Sequence, residues 1–230
     1  MPSEQLPLPV PPADDGLALR LPDRVVPMQA TQVDTPFDDP DYFFEPWWPG
    51  VRALALVERG RLRLQADGLA DATATFPEVA ELPGQLGEDG VVLDGTLLVL
   101  DDQGRPDSGL LRARLDGRDR AGRPAYVASD LLWAGGEPVT RRSFRVRRRW
   151  LEALLEPGDR VTAGHGYIGD GTLVAEALAT LGIDALSARQ LSARYRAGPA
   201  GAAWLRASII AGEPLARPTL ALILRLPLGD

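Results

Sequence analysis

The basic residues of this 230-residue chain are all arginine: 25 positions carry arginine and none carries lysine. A guanidinium stays protonated, presents a planar fork of donors, and grips carboxylates or phosphates through paired hydrogen bonds. It does not supply the free amine that a lysine offers as a nucleophile. The basic side chains are therefore suited to binding anions, and covalent catalysis by lysine is excluded.

Metal and nucleophile chemistry have few other candidates. The chain has no cysteine, which excludes disulfides and thiolate metal sites, and its one histidine leaves little for zinc. That residue, His165, lies in the glycine-rich segment AGHGYIGDG and is the one remaining nitrogen nucleophile. The pattern favours an ordinary loop residue over a replacement nucleophile. We expect no metal site and no resident cofactor.

The composition is that of a globular protein with an acidic balance. Apolar residues make up 45% of the chain and the formal net charge is −7, so the chain can bury a core and is not coated with positive charge for nucleic acid. No apolar run approaches the roughly 18 residues of a membrane span. The N-terminus lacks the basic start and apolar stretch of a signal peptide. We expect a cytoplasmic protein, associated with the nucleoid if it binds DNA.

One basic segment, RRSFRVRRR at residues 141–149, contrasts with that acidic balance. It begins a predicted helix and either contacts a phosphate backbone or forms a solvated basic face followed by Glu152 and Glu156. Cations are disfavoured at a helix N-terminus, so something else in the fold must compensate for them. The candidate DNA contacts are Arg141, Arg142, Arg145, Arg147, Arg148 and Arg149.

The order of the predicted elements favours an α+β domain. Residues 1–24 are rich in proline and read as a disordered lead-in. Strands are predicted on both sides of a turn at Glu58-Arg59-Gly60, in VVLDGTLLVL and in PAYVASDLLW. Helices are predicted at 108–115, 144–155 and 172–181, and short strands at 185–189, 204–210 and 220–226.

Seven segments, in order from about Val25 to Ser208, resemble the adenylation domain of ATP-dependent DNA ligases, most closely the bacterial end-joining type. They are VVPMQATQVDTPF, FFEPWWPGVRALALV, ATFPEV, VVLDGTLLVLDDQGRPDSGLLRARL, AYVASDLLWAGG, LGIDALSARQLSARYRAG and WLRAS. The resemblance implies an ATP-grasp-like nucleotidyltransferase fold, with antiparallel sheets flanked by helices, over residues 25–208. The OB-fold domain that follows in ligases is expected to be absent or truncated, because residues 209–230 hold one or two strands at most.

The resemblance also identifies a missing nucleophile. Where the family reads Phe-Glu-Pro-Lys-Trp-Asp-Gly, the lysine amine attacks the α-phosphate of ATP. Here Trp47 occupies the lysine position and Pro49 the aspartate position. An indole nitrogen keeps its lone pair in the ring and only donates a hydrogen bond. Since the chain has no lysine to replace it, the resemblance implies a degenerate ATP site and a pseudoenzyme.

Other positions depart from the family pattern in the same direction. Thr96 replaces a glutamate, Ser129 replaces an aromatic residue that stacks on adenine, and Ser208 replaces a lysine. Arginine replaces phosphate-gripping lysines at 189 and 206, and a carboxylate persists at the metal-binding position 184. The residual nucleotide or phosphate pocket predicted from the resemblance consists of Glu45, Arg52, Asp94, Asp184, Arg189 and Arg206.

Two features allow two interpretations each. Trp47 and Trp48 either fill the emptied nucleotide pocket or form a stacking platform for a base or a partner. The three pocket arginines either grip a phosphate or carboxylate ligand or form internal salt bridges to Asp94, Asp184 and Glu45.

Three functions are consistent with these residues. The favoured one is a non-catalytic ligase-like protein, a binding or scaffold module beside DNA-repair and recombination machinery, with DNA ends or repair proteins as partners. The first alternative is an active ATP-dependent DNA ligase that needs Mg²⁺ and uses a non-standard or borrowed nucleophile. The second is a protein-interaction subunit without affinity for nucleotide or DNA, which the acidic charge favours.

Overall fold

The computed structural model describes residues 20–209, and they form two mostly antiparallel β-sheets with helices packed around them. The strands are β1 (Met28–Gln29), β2 (Thr31–Val33), β3 (Asp39–Pro46), β4 (Val51–Glu58), β5 (Arg61–Gln65), β6 (Val91–Leu100), β7 (Arg123–Ala134), β8 (Glu137–Pro138), β9 (Val161–Ala163), β10 (Tyr167–Gly169), β11 (Ala185–Gln190), β12 (Gly198–Pro199) and β13 (Trp204–Ser208). The helices are α1 (Ala72–Thr75), α2 (Ser108–Leu115), α3 (Phe144–Leu154) and α4 (Gly171–Thr180), with 3₁₀ turns at Pro77–Gln85 and Gly201–Ala203.

The larger sheet has the strand order β5-β4-β6-β7-β8, and β9 pairs in parallel with β7. The smaller sheet has the order β10-β3-β11-β13-β2. A short parallel pair, β1 with β12, lies apart from both. The α+β class predicted from the sequence is confirmed, as is the prediction of antiparallel sheets flanked by helices.

The hairpin between β4 and β5 forms as its sequence predicts. Glu58 pairs with Arg61 across a two-residue turn, in which Arg59 has φ 55° and Gly60 has φ 68°. Positive φ at both central residues is the requirement of the turn that matches the twist of paired strands. A glycine is therefore needed at the second position.

The strands of the larger sheet are buried on both faces. Along β4, Ala53, Ala55 and Val57 belong to the core beneath the 3₁₀ turn and α3, while Leu54 and Leu56 belong to a second cluster on the opposite face. This alternation follows from the two-residue period of a strand. It explains why β4 and β6 read as nearly continuous apolar runs in the sequence.

The smaller sheet covers part of that second face. Leu98 of β6 and Val127 of β7 share one cluster with Phe44 of β3, Leu186 of β11 and Leu178 of α4. The two sheets and α4 thus enclose one apolar layer, and a cleft lies where β3 leaves this layer.

The ends of the chain fall largely outside the described residues. Of the predicted lead-in, residues 20–24 are described: Leu21 is buried, and its N–H donates to Glu58 Oε1 at 2.7 Å. The strand predicted at 204–210 is β13 and ends at Ser208. The strand predicted at 220–226 and the remnant beyond Ile209 lie outside the described part of the chain.

Replacing Leu98 with alanine tests the layer between the sheets. Leu98 is fully buried, and truncating such a residue removes apolar contacts and leaves a cavity, so we expect a loss of about 2–5 kcal/mol in the free energy of unfolding. Urea unfolding followed by circular dichroism measures it. Leu173→Ala is the matched control, since that side chain on α4 is 64% exposed; an equal loss in both variants would contradict this packing.

Candidate functional site

A cleft opens between the two sheets, where the end of β3 and the start of β4 meet β6, β7, β11 and β13. Its walls include Trp47, Arg52, Asp94, Arg189 and Trp204. The cavity measures about 60 Å³, which is room for a few water molecules. Pockets for drug-sized ligands are typically roughly 300–1,000 Å³, so the side chains of the protein itself fill most of this site.

The two adjacent tryptophans have different roles. Trp47 follows the last residue of β3, and its backbone N–H donates to the Ala185 carbonyl at 3.0 Å. Its ring is half-buried and stacks on Trp204, with the ring centroids 5.5 Å apart and the planes 30° from parallel. Trp48 is buried in the apolar layer between the sheets. Trp47 therefore lines the cleft and covers Trp204, while Trp48, which also borders the cleft, packs into the core.

The turn that presents Trp47 ends at Gly50, a position that only glycine fits. A Cβ atom at Gly50 would collide with the Leu97 carbonyl oxygen and the Thr96 methyl group. The retained glycine of this motif thus allows the chain to enter β4 close against β6.

Arg52 and Asp94 form the first ion pair of the cleft. Their side chains lie on β4 and β6, and both guanidinium ends contact the carboxylate, with Arg52 Nε 2.9 Å from Asp94 Oδ1. The Tyr195 hydroxyl donates to Asp94 Oδ2 at 2.8 Å and accepts from the Met28 N–H at 2.9 Å. Asp94 therefore bonds to both Arg52 and Tyr195, and Tyr195 belongs to the loop that follows β11.

Arg189 on β11 joins the other carboxylates. It lies 3.3 Å from Glu45 Oε1 and 3.3 Å from Asp130 Oδ2, and its guanidinium carbon is 4.0 Å from the centroid of the Trp204 ring. Ser187 Oγ accepts a hydrogen bond from Trp204 Nε1 at 2.9 Å and lies 3.3 Å from Glu45 Oε1. The guanidinium bonds to two different carboxylates while its plane lies over an aromatic ring, a combination that a lysine at 189 would lack.

Arg147 and Arg148 of α3 join the ion pairs just described, and together these arginines and carboxylates form the network of the cleft. Arg147 is 1% exposed and forms two 2.8 Å bonds to Asp130, one to each carboxylate oxygen. Arg148 is 5% exposed, contacts the Gly164 carbonyl and Glu152, and lies 3.9 Å from Glu45 Oε2. Because both side chains are buried, the predicted DNA contact is corrected for these two residues: they support the cleft and do not face solvent.

Burial and neighbouring charges shift the pKa values of Asp94, Glu45 and Tyr195 in different directions. Burial opposes ionisation of Asp94, but the charge and hydrogen bonds of Arg52 outweigh it and hold the pKa of Asp94 below its ordinary value. Burial raises the pKa of Glu45, and the opposing charges of Arg189 and Arg148 do not fully offset that effect. Burial also raises the pKa of the Tyr195 phenol, with the nearby Asp94 charge adding to it.

The structure brings together four of the six predicted pocket residues: Glu45, Arg52, Asp94 and Arg189 line the cleft. Arg206 lies at its edge, with its guanidinium carbon 5.3 Å from the centroid of the Trp47 ring and a 3.0 Å bond to Gln32. Asp184 is exposed immediately before β11 and is not among the cleft-lining residues, so the prediction is corrected at this position.

Two of the three pocket arginines pair within the chain, while Arg206 donates to Gln32. Arg52 and Arg189 form internal ion pairs, but with Asp94, Glu45 and Asp130 and not with Asp184. Thr96 and Ser129 line the cleft as the resemblance implies. His165 is half-buried between β9 and β10 and does not line the cleft.

Sequence reasoning missed Asp130, Tyr195 and Trp204 as members of the site. A signal for Asp130 was available: it is the one charged residue in the apolar segment PAYVASDLLW, and a carboxylate buried in a central strand needs a charged partner. The tyrosine and tryptophan carry no comparable signal, since their contacts depend on how the loops fold.

Comparisons with known proteins agree with this geometry, although no family model matches the chain. Over 189 residues the chain is 28% identical to the multifunctional non-homologous end joining protein LigD of Mycolicibacterium smegmatis, an alignment that covers 82% of this chain and 24% of LigD. A solved structure of mycobacterial DNA ligase D with ATP and MES superimposes with a TM-score of 0.68 at 28% identity, over 80% of this chain and 60% of that one. The ligase domain of Mycobacterium tuberculosis LigD gives 0.67 at 28% identity, over 79% and 58%.

The two sheets and the cleft between them are those of a DNA-ligase adenylation domain, the nucleotidyltransferase class. More particularly, the chain is homologous to the ligase domain of LigD, and the resemblance found in the sequence is confirmed. The chain spans about a quarter of the length of the LigD relative that it matches. No helix within residues 20–209 combines the length and apolar character needed to cross a membrane.

Removing one partner of a buried pair tests the network. Arg147→Met leaves Asp130 without its bidentate partner, so we expect a loss of about 3–5 kcal/mol in the free energy of unfolding. Arg145→Met is the matched control on the same helix, because the Arg145 side chain is exposed and should change stability little. Urea unfolding of both variants measures the difference; equal stabilities would contradict the buried pair.

Acid titration tests the Asp94 charge. Because the folded-state pKa of Asp94 is lowered, its ion pair stabilises the protein above the ordinary aspartate value, about 3.9, and that stabilisation is lost as pH falls through the lower folded value. Wild type should therefore exceed Asp94→Asn in unfolding free energy at pH 7, and the difference should shrink below about pH 4. A difference that stays constant from pH 7 to pH 3 would show that the charge contributes nothing.

Proposed function

We propose that this chain is a non-catalytic DNA-ligase-like domain, a binding or scaffold module that acts beside DNA end-joining repair. The observation that carries the proposal is the stacked pair of Trp47 and Trp204 at the position where the resemblance places an attacking lysine. An indole offers no lone pair for attack on a phosphate, and the chain has no lysine elsewhere. Lysyl-adenylate chemistry therefore has no nucleophile in this polypeptide.

The residues present do not fit ATP and Mg²⁺. A cavity of about 60 Å³ is too small for a nucleoside, and Trp47, Trp204 and Arg189 occupy the surrounding space. Glu45, Asp94 and Asp130 are each engaged by arginine. Within residues 20–209, no group of three or more potential ligand side chains is arranged to hold a metal ion. The ATP seen in the mycobacterial ligase structure belongs to that protein, and we propose that this chain needs neither ATP nor metal.

The link to DNA repair rests on homology alone. The relative is named for non-homologous end joining, and the partners proposed here are DNA ends or repair proteins. Because fold and ancestry do not fix function, this part of the proposal needs a binding measurement as well as an activity measurement.

An active ligase with a borrowed nucleophile is the competing function. It would need a partner to place an amine against a cleft that arginine and tryptophan already fill, at a site where Thr96 and Ser129 replace residues that the family uses. Nick sealing that appears only with a co-expressed partner would favour it. The remaining competitor is an interaction subunit without DNA affinity, which titration with duplex DNA separates.

Labelling with ATP tests the absence of catalysis. The 230-residue chain, incubated with α-labelled ATP and Mg²⁺ and run on a denaturing gel, should carry no label, because an indole cannot form the phosphoramidate bond. The ligase domain of mycobacterial LigD, treated in parallel, controls for the reaction. An acid-labile adenylate on the purified chain would overturn the proposed function.

A further inference from the structure

Strand β10 exposes apolar side chains at one edge of the smaller sheet. Tyr167 is 41% exposed and Ile168 is 47% exposed, although both belong to a strand of three residues. Within residues 20–209, β10 pairs with β3 on one side and with no strand on the other. We call this outer side of β10, with Tyr167 and Ile168, the β10 edge. An apolar edge of this kind is a place where a further strand can pair.

Each side chain of the β10 edge continues a buried cluster. Tyr167 is paired with Phe44 and Ile168 with Phe43, and paired side chains point to the same face of a sheet. Phe44 is fully buried in the layer that contains α4, and Phe43 packs against Phe144 on the opposite face. One added strand would cover apolar side chains on both faces, because its own side chains alternate between them. A helix or a loop would cover one face.

Carboxylates surround the β10 edge. Asp39 lies beside the end of β10 in the ladder, and Asp170 follows that strand. Asp38 accepts hydrogen bonds from the N–H and the hydroxyl of Thr172, both at 2.8 Å, and Glu176 is exposed on α4. Strands β3 and β10 and helix α4 contain no arginine. An occupant that complements this edge is therefore apolar and positively charged.

The chain itself contains a segment of this chemistry, outside the described residues. Positions 215–228 read LARPTLALILRLPL, with arginine at 217 and 225 and no acidic residue. They include the strand predicted at 220–226. In a strand, the leucines at 220, 222, 224 and 226 would share one face. The segment thus matches the β10 edge in apolar character and in charge.

The described chain ends within reach of the β10 edge. The Ile209 N–H donates to the Asp184 carbonyl at 2.8 Å, so Ile209 lies beside the start of β11. Helix α4 begins just after β10, ends just before β11, and with its 10 residues is about 15 Å long. An extended chain covers roughly 3.3 Å per residue, so residues 210–219 can span about 33 Å. Residue 220 can therefore reach β10.

A second copy of the chain complements this edge less well. In a symmetric pair the same surface patch of each copy faces the other. Two β10 edges would then bring Asp39 and Asp170 of one copy close to the same carboxylates of the other, and like charges placed opposite each other are destabilising. Residues 215–228 bring arginines to the same place.

We propose that residues 220–226 bind to the β10 edge as a further strand of the smaller sheet. The leucine face of the segment covers Tyr167, and the alternate face, which carries Ile223, covers Ile168. The two arginines of the segment meet the surrounding carboxylates. This contact is independent of the proposed function, since it holds whether or not the cleft performs catalysis.

Disulfide trapping in the full chain tests this contact, because the native sequence has no cysteine. Ile168→Cys combined with Ile223→Cys should form a disulfide within the monomer under mild oxidation, since a disulfide requires Cβ atoms about 3.8 Å apart. Thr31→Cys combined with Ile223→Cys is the matched control, because Thr31 is exposed on β2, at the opposite edge of the same sheet. We expect the Ile168 variant to crosslink about tenfold faster, because binding holds the segment near one edge. Non-reducing gels and peptide mass mapping measure both rates.

Unfolding of serine variants gives a second measurement. Leu222→Ser should lower the melting temperature by about 3 °C, because it removes an apolar contact with Tyr167. That decrease should vanish in a Tyr167→Ser background, where the contact is already lost, and persist in a Val26→Ser background. Val26 is the matched control, since it is 58% exposed and lies before β1. Equal decreases in the two backgrounds would contradict the contact.

The crosslinking outcomes separate the possible occupants. Equal rates at Ile168 and Thr31 would overturn the proposal. Disulfide-linked dimers in place of linked monomers would assign the edge to the segment of a second copy, and the absence of any disulfide would leave it to a separate protein; either result contradicts the intramolecular contact. Labelling with ATP does not depend on this edge, so such a failure leaves the proposed function standing.

Discussion

The fold of this domain depends on buried guanidinium–carboxylate pairing beneath its cleft. Arg52, Arg147 and Arg189 meet Asp94, Asp130 and Glu45 beneath the cleft, and all of these side chains except Arg52 are buried. Burying a charge costs free energy unless a group of opposite charge pairs with it. Removing one partner therefore leaves the other charge buried and unpaired, which destabilises the fold. The six side chains therefore form a unit, and strands from both sheets, together with α3, are fixed relative to one another by it.

The same pairing fills much of the cleft with side chains of the chain itself. Arginine keeps the positive charge of a lysine but spreads it over a plane, so it stacks on Trp204 as well as bonding to carboxylates. Trp47 then covers Trp204 from the side where the family places its reactive amine. Residues of the chain itself therefore balance the charges, stack on the rings and fill the space in the cleft.

Much of the fold could be predicted from the sequence, because hairpin chemistry and strand periodicity act locally. The turn at Arg59-Gly60 and the apolar runs of β4 and β6 are examples. The cleft was predicted less well. Glu45, Arg52, Asp94 and Arg189 follow from ordered motifs, but Tyr195 enters through a loop and Asp184 turns away to solvent, and neither outcome depends on residue spacing. Helix α3 buries Arg147 and Arg148 but exposes Arg145, and the sequence alone does not distinguish these neighbouring arginines.

Trp47 and its surroundings also constrain the history of this chain. A single codon change that restored an amine at position 47 would leave Arg189 and Trp204 in place, and a lysine introduced beside two cleft guanidiniums would be repelled by them. Opening the cleft would require several coordinated replacements, each destabilising when made alone because its partner is buried. The arrangement is for this reason one that single substitutions cannot readily undo.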